Sequence, residues 1–229
     1  MNRRTGTAVG LTVTVGALCF TSLTPAHASP ATPTPSPTSI PTASPTPTAS
    51  TKGLLSPLKY KVSLKGQYQK TNYYCVPASS SMSLSTFGVK VSQSTLAKKM
   101  KTTASGGTKG KYALPVINTY LKSKGYKVTS PTDADGNALA LMNRVSTNVG
   151  EMRKAPVLAV WMEQLPWNKG KVKGSKVGHA IIAYGYDKLA NTITVYDPWK
   201  PTGGSHTIKA STLAKVLQPG GNMYYISKR

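Results

Sequence analysis

The chain has 229 residues, with 29 lysines and arginines against six acids and a formal net charge of +23. Such a surplus points to polyanionic partners, with a merely soluble basic surface as the alternative. Lysine dominates, since beyond Arg3 and Arg4 the only arginines are Arg144, Arg153 and Arg229. A diffuse ammonium surface lacks the planar forks that read base edges, so specific nucleic-acid recognition is excluded as an expectation.

The residues cannot all belong to one folded body. Residues 1–28 read as a secretory signal peptide: Arg3 and Arg4 supply the positive start, Ala8–Phe20 is a mostly apolar run, and Ala26-His27-Ala28 is a small-x-small cleavage site. The run is shorter than the roughly 20 residues a membrane span needs, so no transmembrane span is expected in the mature chain. Cys19 follows Leu18, where a lipoprotein site wants a small residue. Residues 29–51 are Ser, Thr, Pro and Ala apart from Ile40, a composition with no apolar set to bury and prolines that break both helix and sheet. They read as an extended linker. Residues 52–229 are then enough for one domain with one core, expected to be a monomer. With Arg3 and Arg4 removed, 27 cations face six acids, a formal +21. For an exported, extracellular protein the expected polyanions are cell-wall polymers or lipid headgroups.

In chain order, alternation at Tyr60, Val62 and Leu64 suits a short strand, and 66–74 reads as loop. A helix is predicted from about Val76 to Phe87, with Pro77 near its start, Gly88 at its end and serines small enough for close packing. Ser92 or Ser94 opens a second short helix through Met100, and 102–110 is a Gly/Thr/Ser loop. Leu114, Ile117 and Leu121 predict an amphipathic helix over 114–124, stopped by Gly125. Residues 126–129 suit a strand, and 137–149 a helix with Ala138, Leu141, Met142 and Val145 on one stripe. The period then changes. Pro156–Met162 is a near-continuous apolar run, the mark of a buried strand. Strands follow at 180–186, 192–196, 206–209 and 223–227, with a turn at 188–191 and a short helix at 213–217. Helices first and strands later predict an α+β domain, with the N-terminal helices packed on a C-terminal antiparallel sheet.

After cleavage Cys75 is the one cysteine, so no internal disulfide is expected. A lone thiol in an exported protein is either buried and inert or kept because it reacts. Cys75 stands just before a predicted helix start, where unpaired amides and the helix dipole favour an anion. The preceding Gln69-Lys70-Thr71-Asn72-Tyr73-Tyr74 is polar, which speaks for the reactive reading. A base is needed, and His27 leaves with the signal. His179 opens an apolar strand, whereas His206 stands at an ordinary strand start; either alone is more often structural. A third group should orient the imidazole. Asp187 is eight residues from His179, roughly 26 Å along an extended strand, and too far. Asp197 returns on the next strand near the level of residues 181–182. Paired with residue 181 it shares a face with His179; paired with 182 it does not, and the pattern leaves that register open. Gln69, on the loop before Cys75, offers an amide that could help the Cys75 backbone N–H hold an oxyanion.

Gln69 through Ser79 resembles the Q-x5-C-[GV]-P-A-[ST] segment of C39-like peptidases in the papain-like group. Gly178-His179-Ala180 with Gly185-Tyr186-Asp187, and Asp197-Pro198-Trp199, are similar to that family's GHxxxxxGYD and DPW segments. The likeness runs from about Tyr68 to Trp199 with the segments in the right order. It implies a papain-like fold and a thiol peptidase without cofactor, with Cys75 as nucleophile, His179 as base, Asp197 as orienting acid and Gln69 as oxyanion residue. Val76 stands where the family usually has glycine, which tightens the space beside the nucleophile.

The expected function is therefore a secreted thiol hydrolase cleaving peptide amide bonds through an acyl-enzyme. A peptidoglycan amidase or acyl transferase would use the same constellation, and a non-catalytic basic wall-binding module would use only the lysines. Lys169, Lys171, Lys173 and Lys176, interspersed with glycine just ahead of His179, are candidate substrate-binding residues. Asp133-Ala134-Asp135-Gly136-Asn137 begins like a calcium loop, but its twelfth position is Arg144 and Asn137 reads better as a helix cap. No His/Cys spacing suits zinc, so no metal is expected.

Overall fold

The computed structural model describes residues 56–220 and 223–229. The expected signal peptide, residues 1–28, and linker, residues 29–51, lie outside the described residues. No described helix is long and apolar enough to cross a membrane.

The helical half begins with α1 (Cys75–Ser85), α2 (Gln93–Lys99) and α3 (Gly110–Lys122), and α4 (Ala138–Val145) follows the short strand β2 (Tyr126–Thr129). Helix α1 is the unusual one. Every residue from Pro77 to Leu84 is buried, so it has no wet face. Small side chains permit this, and three of the four buried serines find partners outside the helix: Ser79 Oγ donates to the Ala180 carbonyl at 3.0 Å, Ser83 Oγ to that of Ala155 at 2.7 Å and Ser81 Oγ to that of Val91 at 2.7 Å, while Ser80 Oγ has none. Each such bond contributes about 1 kcal/mol net, and leaving it unmade would cost about 1–3 kcal/mol. Pro77 lies in the first turn, where an amide has no helical partner to lose.

Helices α3 and α4 depart furthest from the predicted bounds. Helix α3 starts at Gly110, four residues before the predicted Leu114, because the amides of Tyr112 and Ala113 already bond to the Lys109 carbonyl. Pro115 falls inside it, near enough to the start to cost little. Helix α4 ends at Val145, and the chain continues as a wider π turn through Ser146–Glu151. There buried Asn148 takes over: its Nδ2 donates to the Ile226 carbonyl at 2.8 Å and its Oδ1 accepts the Ile226 N–H at 3.0 Å. Asn118 does the same for Val128, at 3.0 and 2.8 Å. Val128 and Ile226 are cross-strand partners in the two-stranded sheet of β2 and β7 (Tyr225–Lys228). An asparagine thus satisfies backbone groups on each edge of that small sheet. Asn137 caps α4, accepting the Ala140 N–H at 3.0 Å, as its sequence position suggests.

The larger sheet is antiparallel throughout. Its long strand β4 (Gly178–Asp187) pairs along one edge with β5 (Thr192–Asp197), which pairs with β6 (Gly204–Lys209). Along the other edge, β3 (Val157–Trp161) pairs with residues 178–182 and β1 (Lys59–Lys61) with 185–187. A short helix α5 (Ala210–Val216) follows β6. One core cluster joins Leu141, Val145 and Leu213 of α4 and α5 to Ile181, Ala183, Ile193 and Val195. A second joins Leu84, Leu96, Ile117 and Leu121 to Val157, Ala180 and Ile226. The strand β4 is therefore buried on both faces.

The β4–β5 ladder contains one irregularity. Asp187, Tyr186 and Gly185 face Thr192, Ile193 and Thr194, but beyond a bulge Ala183 faces Val195 and Ile182 faces Tyr196. Extending the second register sets residue 181 opposite 197. Asp197 therefore shares a face with Ile181 and His179.

Candidate active site

Cys75 is the first residue of α1 and is partly buried. His179 is the second residue of β4, and the Ser79–Ala180 hydrogen bond fastens α1 to that strand one residue beyond it. Cys75, His179, Ala180 and Tyr224 line a cleft of about 700 Å³. His179 is 5% exposed and Asp197 fully buried, with His179 Nε2 2.7 Å from Asp197 Oδ1. That engagement leaves Nδ1 of the ring to face the Cys75 sulfur, which lines the same cleft.

The electrostatics follow from these contacts. Burial pushes the Cys75 thiol up, but the hydrogen bond and charge of His179, with the backbone N–H groups of Ala180 and Val76, outweigh it and hold the thiol below its ordinary value. Burial pulls His179 down, yet Asp197 and Cys75 together push it up to about 10. Burial raises Asp197, while hydrogen bonds from His179, Trp167 and the Trp199 N–H hold it below the usual carboxylate range. Both shifts favour a thiolate beside an imidazolium over the neutral pair, and the thiolate is the form in which sulfur is a nucleophile.

The loop after Asp197 folds back beneath it. Trp199 N–H donates to Asp197 Oδ1 at 2.8 Å, and the Gln69 N–H donates to the Pro198 carbonyl at 2.8 Å. Only glycine fits at 203, where a Cβ would collide with the carbonyl oxygens of Asp197 and Trp199.

The other candidates stand apart. Gln69 is not part of the cleft wall; its Nε2 donates to the Thr71 carbonyl at 2.8 Å and its Oε1 is buried without a partner. Lys169, Lys171, Lys173 and Lys176 are exposed and none lines the cleft, although their loop leads directly into Gly178, which does. That loop is tied at its end by Glu163, which accepts the N–H groups of Lys176 and Val177 at 2.9 and 3.2 Å. Asp187 pairs instead with Lys59 at 3.1 Å. His206 lies away from Cys75, stacked on Trp167.

Sequence reasoning missed Trp167, whose Nε1–H donates to Asp197 Oδ2 at 2.8 Å, and the cleft-lining Lys111, Gln218 and Tyr224. Trp167 is 30 residues from its partner, and no local pattern carries such a contact. The glycine-rich segment around Gly106 and Gly107, read as a plain loop, is also cleft wall. Among the described residues no three His, Cys, Asp or Glu side chains gather closely enough to hold a metal ion.

A model of the Peptidase_C39 like family matches residues 61–224. No curated protein matches the sequence. A solved structure described as a C39-like peptidase from Bacillus anthracis is 18% identical and superposes with a TM-score of 0.53, covering 75% of this chain and 98% of that one. The peptidase domain of Streptococcus ComA, a bi-functional ABC transporter involved in a quorum sensing pathway, is 18% identical with a TM-score of 0.49, covering 74% and 99%. A double glycine motif protease from an AMS/PCAT transporter, in complex with the leader peptide, is 11% identical with a TM-score of 0.48, covering 74% and 95%. At these identities the first likeness speaks for the fold, and the other two add no argument.

Proposed function

The chain belongs to the Peptidase_C39 like family and is a cysteine peptidase of papain-like α+β fold; from that premise we propose that it cleaves peptide bonds through Cys75, His179 and Asp197 acting as a triad. The observation that carries this reading is the buried 2.7 Å contact of His179 with Asp197, made by an imidazole that lines the same cleft as Cys75. In the proposed cycle the Cys75 thiolate attacks the amide carbonyl. The His179 imidazolium then protonates the leaving amine, and the neutral ring draws a proton from the water that hydrolyses the acyl-enzyme. Asp197 keeps Nδ1 aimed at sulfur and offsets the ring's positive charge.

The test is to incubate the protein and its Cys75→Ala variant with a peptide library and with purified cell wall, and to look by mass spectrometry for an acyl adduct on Cys75. Cleavage with an adduct supports the reading. Release of wall amides alone would favour the amidase alternative, and binding without any adduct the wall-binding module. Secretion belongs to the same proposal, supported by the charge, apolar run and cleavage pattern of residues 1–28.

For the oxyanion, helix geometry leaves the Cys75 backbone N–H without an intrahelical partner. Gln69 Nε2 spends one hydrogen on Thr71 and has a second to offer. Gln69→Ala is expected to lower kcat by on the order of 10²-fold, the usual effect of losing an oxyanion donor. An unchanged kcat would make Gln69 a brace for the loop at Thr71 and nothing more.

The exposed lysines at 169, 171, 173 and 176 support attraction of an anionic substrate, either an acidic peptide or one attached to a wall polymer. Such steering acts on encounter, and it fades as the Debye length falls from about 10 Å at 0.1 M salt to about 3 Å at 1 M. The expected result is a kcat/KM that falls with salt while kcat holds, and a flatter dependence when the four lysines are changed to glutamine. A wild-type kcat/KM indifferent to salt would rule the steering out.

A further inference from the structure

Asp197 accepts three hydrogen bonds. Two come from the segments already described, His179 Nε2 and the Trp199 N–H, and both fall on Oδ1. The third, on Oδ2, comes from the Trp167 indole at 2.8 Å. Trp167 sits in a single 3-10 turn, Pro166–Asn168, and its ring lies flat on the imidazole of His206, with centroids 4.0 Å apart and planes 2° from parallel. His206 faces Val195 across β5 and β6, two residues before Asp197, which puts it on the same face of the sheet.

The stack is itself tied down. His206 Nε2 donates to the Thr202 carbonyl at 2.9 Å, and the Thr202 hydroxyl donates to Oδ1 of buried Asn168. Asn168 Nδ2 in turn donates to the Met162 carbonyl at 3.1 Å. The turn carrying Trp167 and the β5–β6 connection carrying Thr202 are thus closed into one ring of contacts around Asp197.

We propose that Trp167, braced face to face by His206, is a positioning residue that fixes the Asp197 carboxylate in the orientation in which it holds His179. The physical need is specific. The terminal torsion of an aspartate is broad, so a carboxylate held only at Oδ1 can swing about that oxygen. A donor on Oδ2 removes that freedom, and the stack removes the freedom of the donor. The proposal rests on the reading of Cys75, His179 and Asp197 as a triad.

Trp167→Phe keeps an aromatic ring against His206 and removes the Nε1–H. With iodoacetamide as probe, the alkylation rate of Cys75 near pH 6 is expected to fall roughly tenfold, in the range for a lost hydrogen bond to a charged group, because an unanchored imidazolium holds less thiolate. Peptide turnover should lose kcat by a similar factor with KM unchanged. His206→Ala should give a smaller loss, about threefold, and His206→Phe should restore the rate by rebuilding the stack. A fall confined to Tm, with alkylation profile and kcat per folded molecule unchanged, overturns the proposal. Asp197→Asn separates the two levels of argument. If that variant is impaired and Trp167→Phe is not, only the positioning role is lost; if Asp197→Asn is itself unimpaired, the triad reading falls and takes this proposal with it.

Discussion

Cys75→Ala is expected to lower turnover by on the order of 10⁴-fold or more, while the protein keeps a Tm close to wild type. The loss is large because nothing can substitute. The only other cysteine in the sequence is Cys19, within the proposed signal peptide. Removing the sulfur leaves the cleft, the His179–Asp197 pair and the helix amides in place but no atom to form the acyl bond. The fold survives because the thiol is small and partly exposed, and the fully buried run of α1 starts at Pro77. His179 loses one of the two groups that raise it and keeps the first, Asp197, so no uncompensated buried charge is created. Turnover assays and thermal melts on the two proteins check both halves. Full activity in the variant would end the triad reading.

His179→Ala should separate nucleophile formation from proton transfer. In the wild type the thiol lies below its ordinary value because His179 outweighs burial. Without the imidazole, burial remains and pushes the thiol above that value, so the variant is protonated near pH 6. Each unit of displacement is a factor of ten in thiolate, so the alkylation rate near pH 6 is expected to fall by about 10²-fold or more. It should recover as pH rises and the thiol ionises unaided. Turnover should not recover, since the leaving amine still lacks its proton donor, a loss of on the order of 10²–10⁴. The signs in the wild type run the same way. Activity is lost on the acid side as pH falls through the lowered Cys75 value, and on the alkaline side as pH rises through about 10, where His179 gives up its proton. A variant whose turnover returns with its alkylation rate would show that His179 serves only to ionise the thiol.

Several features could be read from short stretches because their physics is local. Ser92 caps α2 by accepting the Thr95 N–H, and Asn137 caps α4; both side chains act within one helical turn. The apolar run at 156–162 became the buried strand β3, and the 188–191 turn joins β4 and β5 as its composition suggests. The place of Cys75 at a helix start is of the same kind. Other features depend on distant parts of the chain. The serines of α1 look merely small in sequence, and their partners, Ala155 and Ala180, are 72 and 101 residues away. The π turn after α4 exists because Asn148 reaches Ile226, 78 residues on.

The residue types of the proposed triad, Cys75, His179 and Asp197, could be named from the sequence alone, because their chemistry and their likeness to the C39-like segments both pointed to them. Whether the last two could meet was decided by the tertiary structure. Counting back from the turn, Asp187 faces Thr192, and an unbroken ladder would set Asp197 opposite Ile182, on the far face from His179. The bulge at Tyr184 shifts the register by one and sets Asp197 opposite residue 181 instead. A strand alternates sides at every residue, so that single extra residue turns Asp197 toward His179. Its position is set from outside the hairpin's own pattern: the Tyr184 hydroxyl meets Ser205 of β6 at 2.6 Å, and at Gly185 a Cβ would press to 3.3 Å from the Lys61 side chain of β1. Those neighbours come from two other segments of the chain, and only the folded molecule brings them to Tyr184 and Gly185.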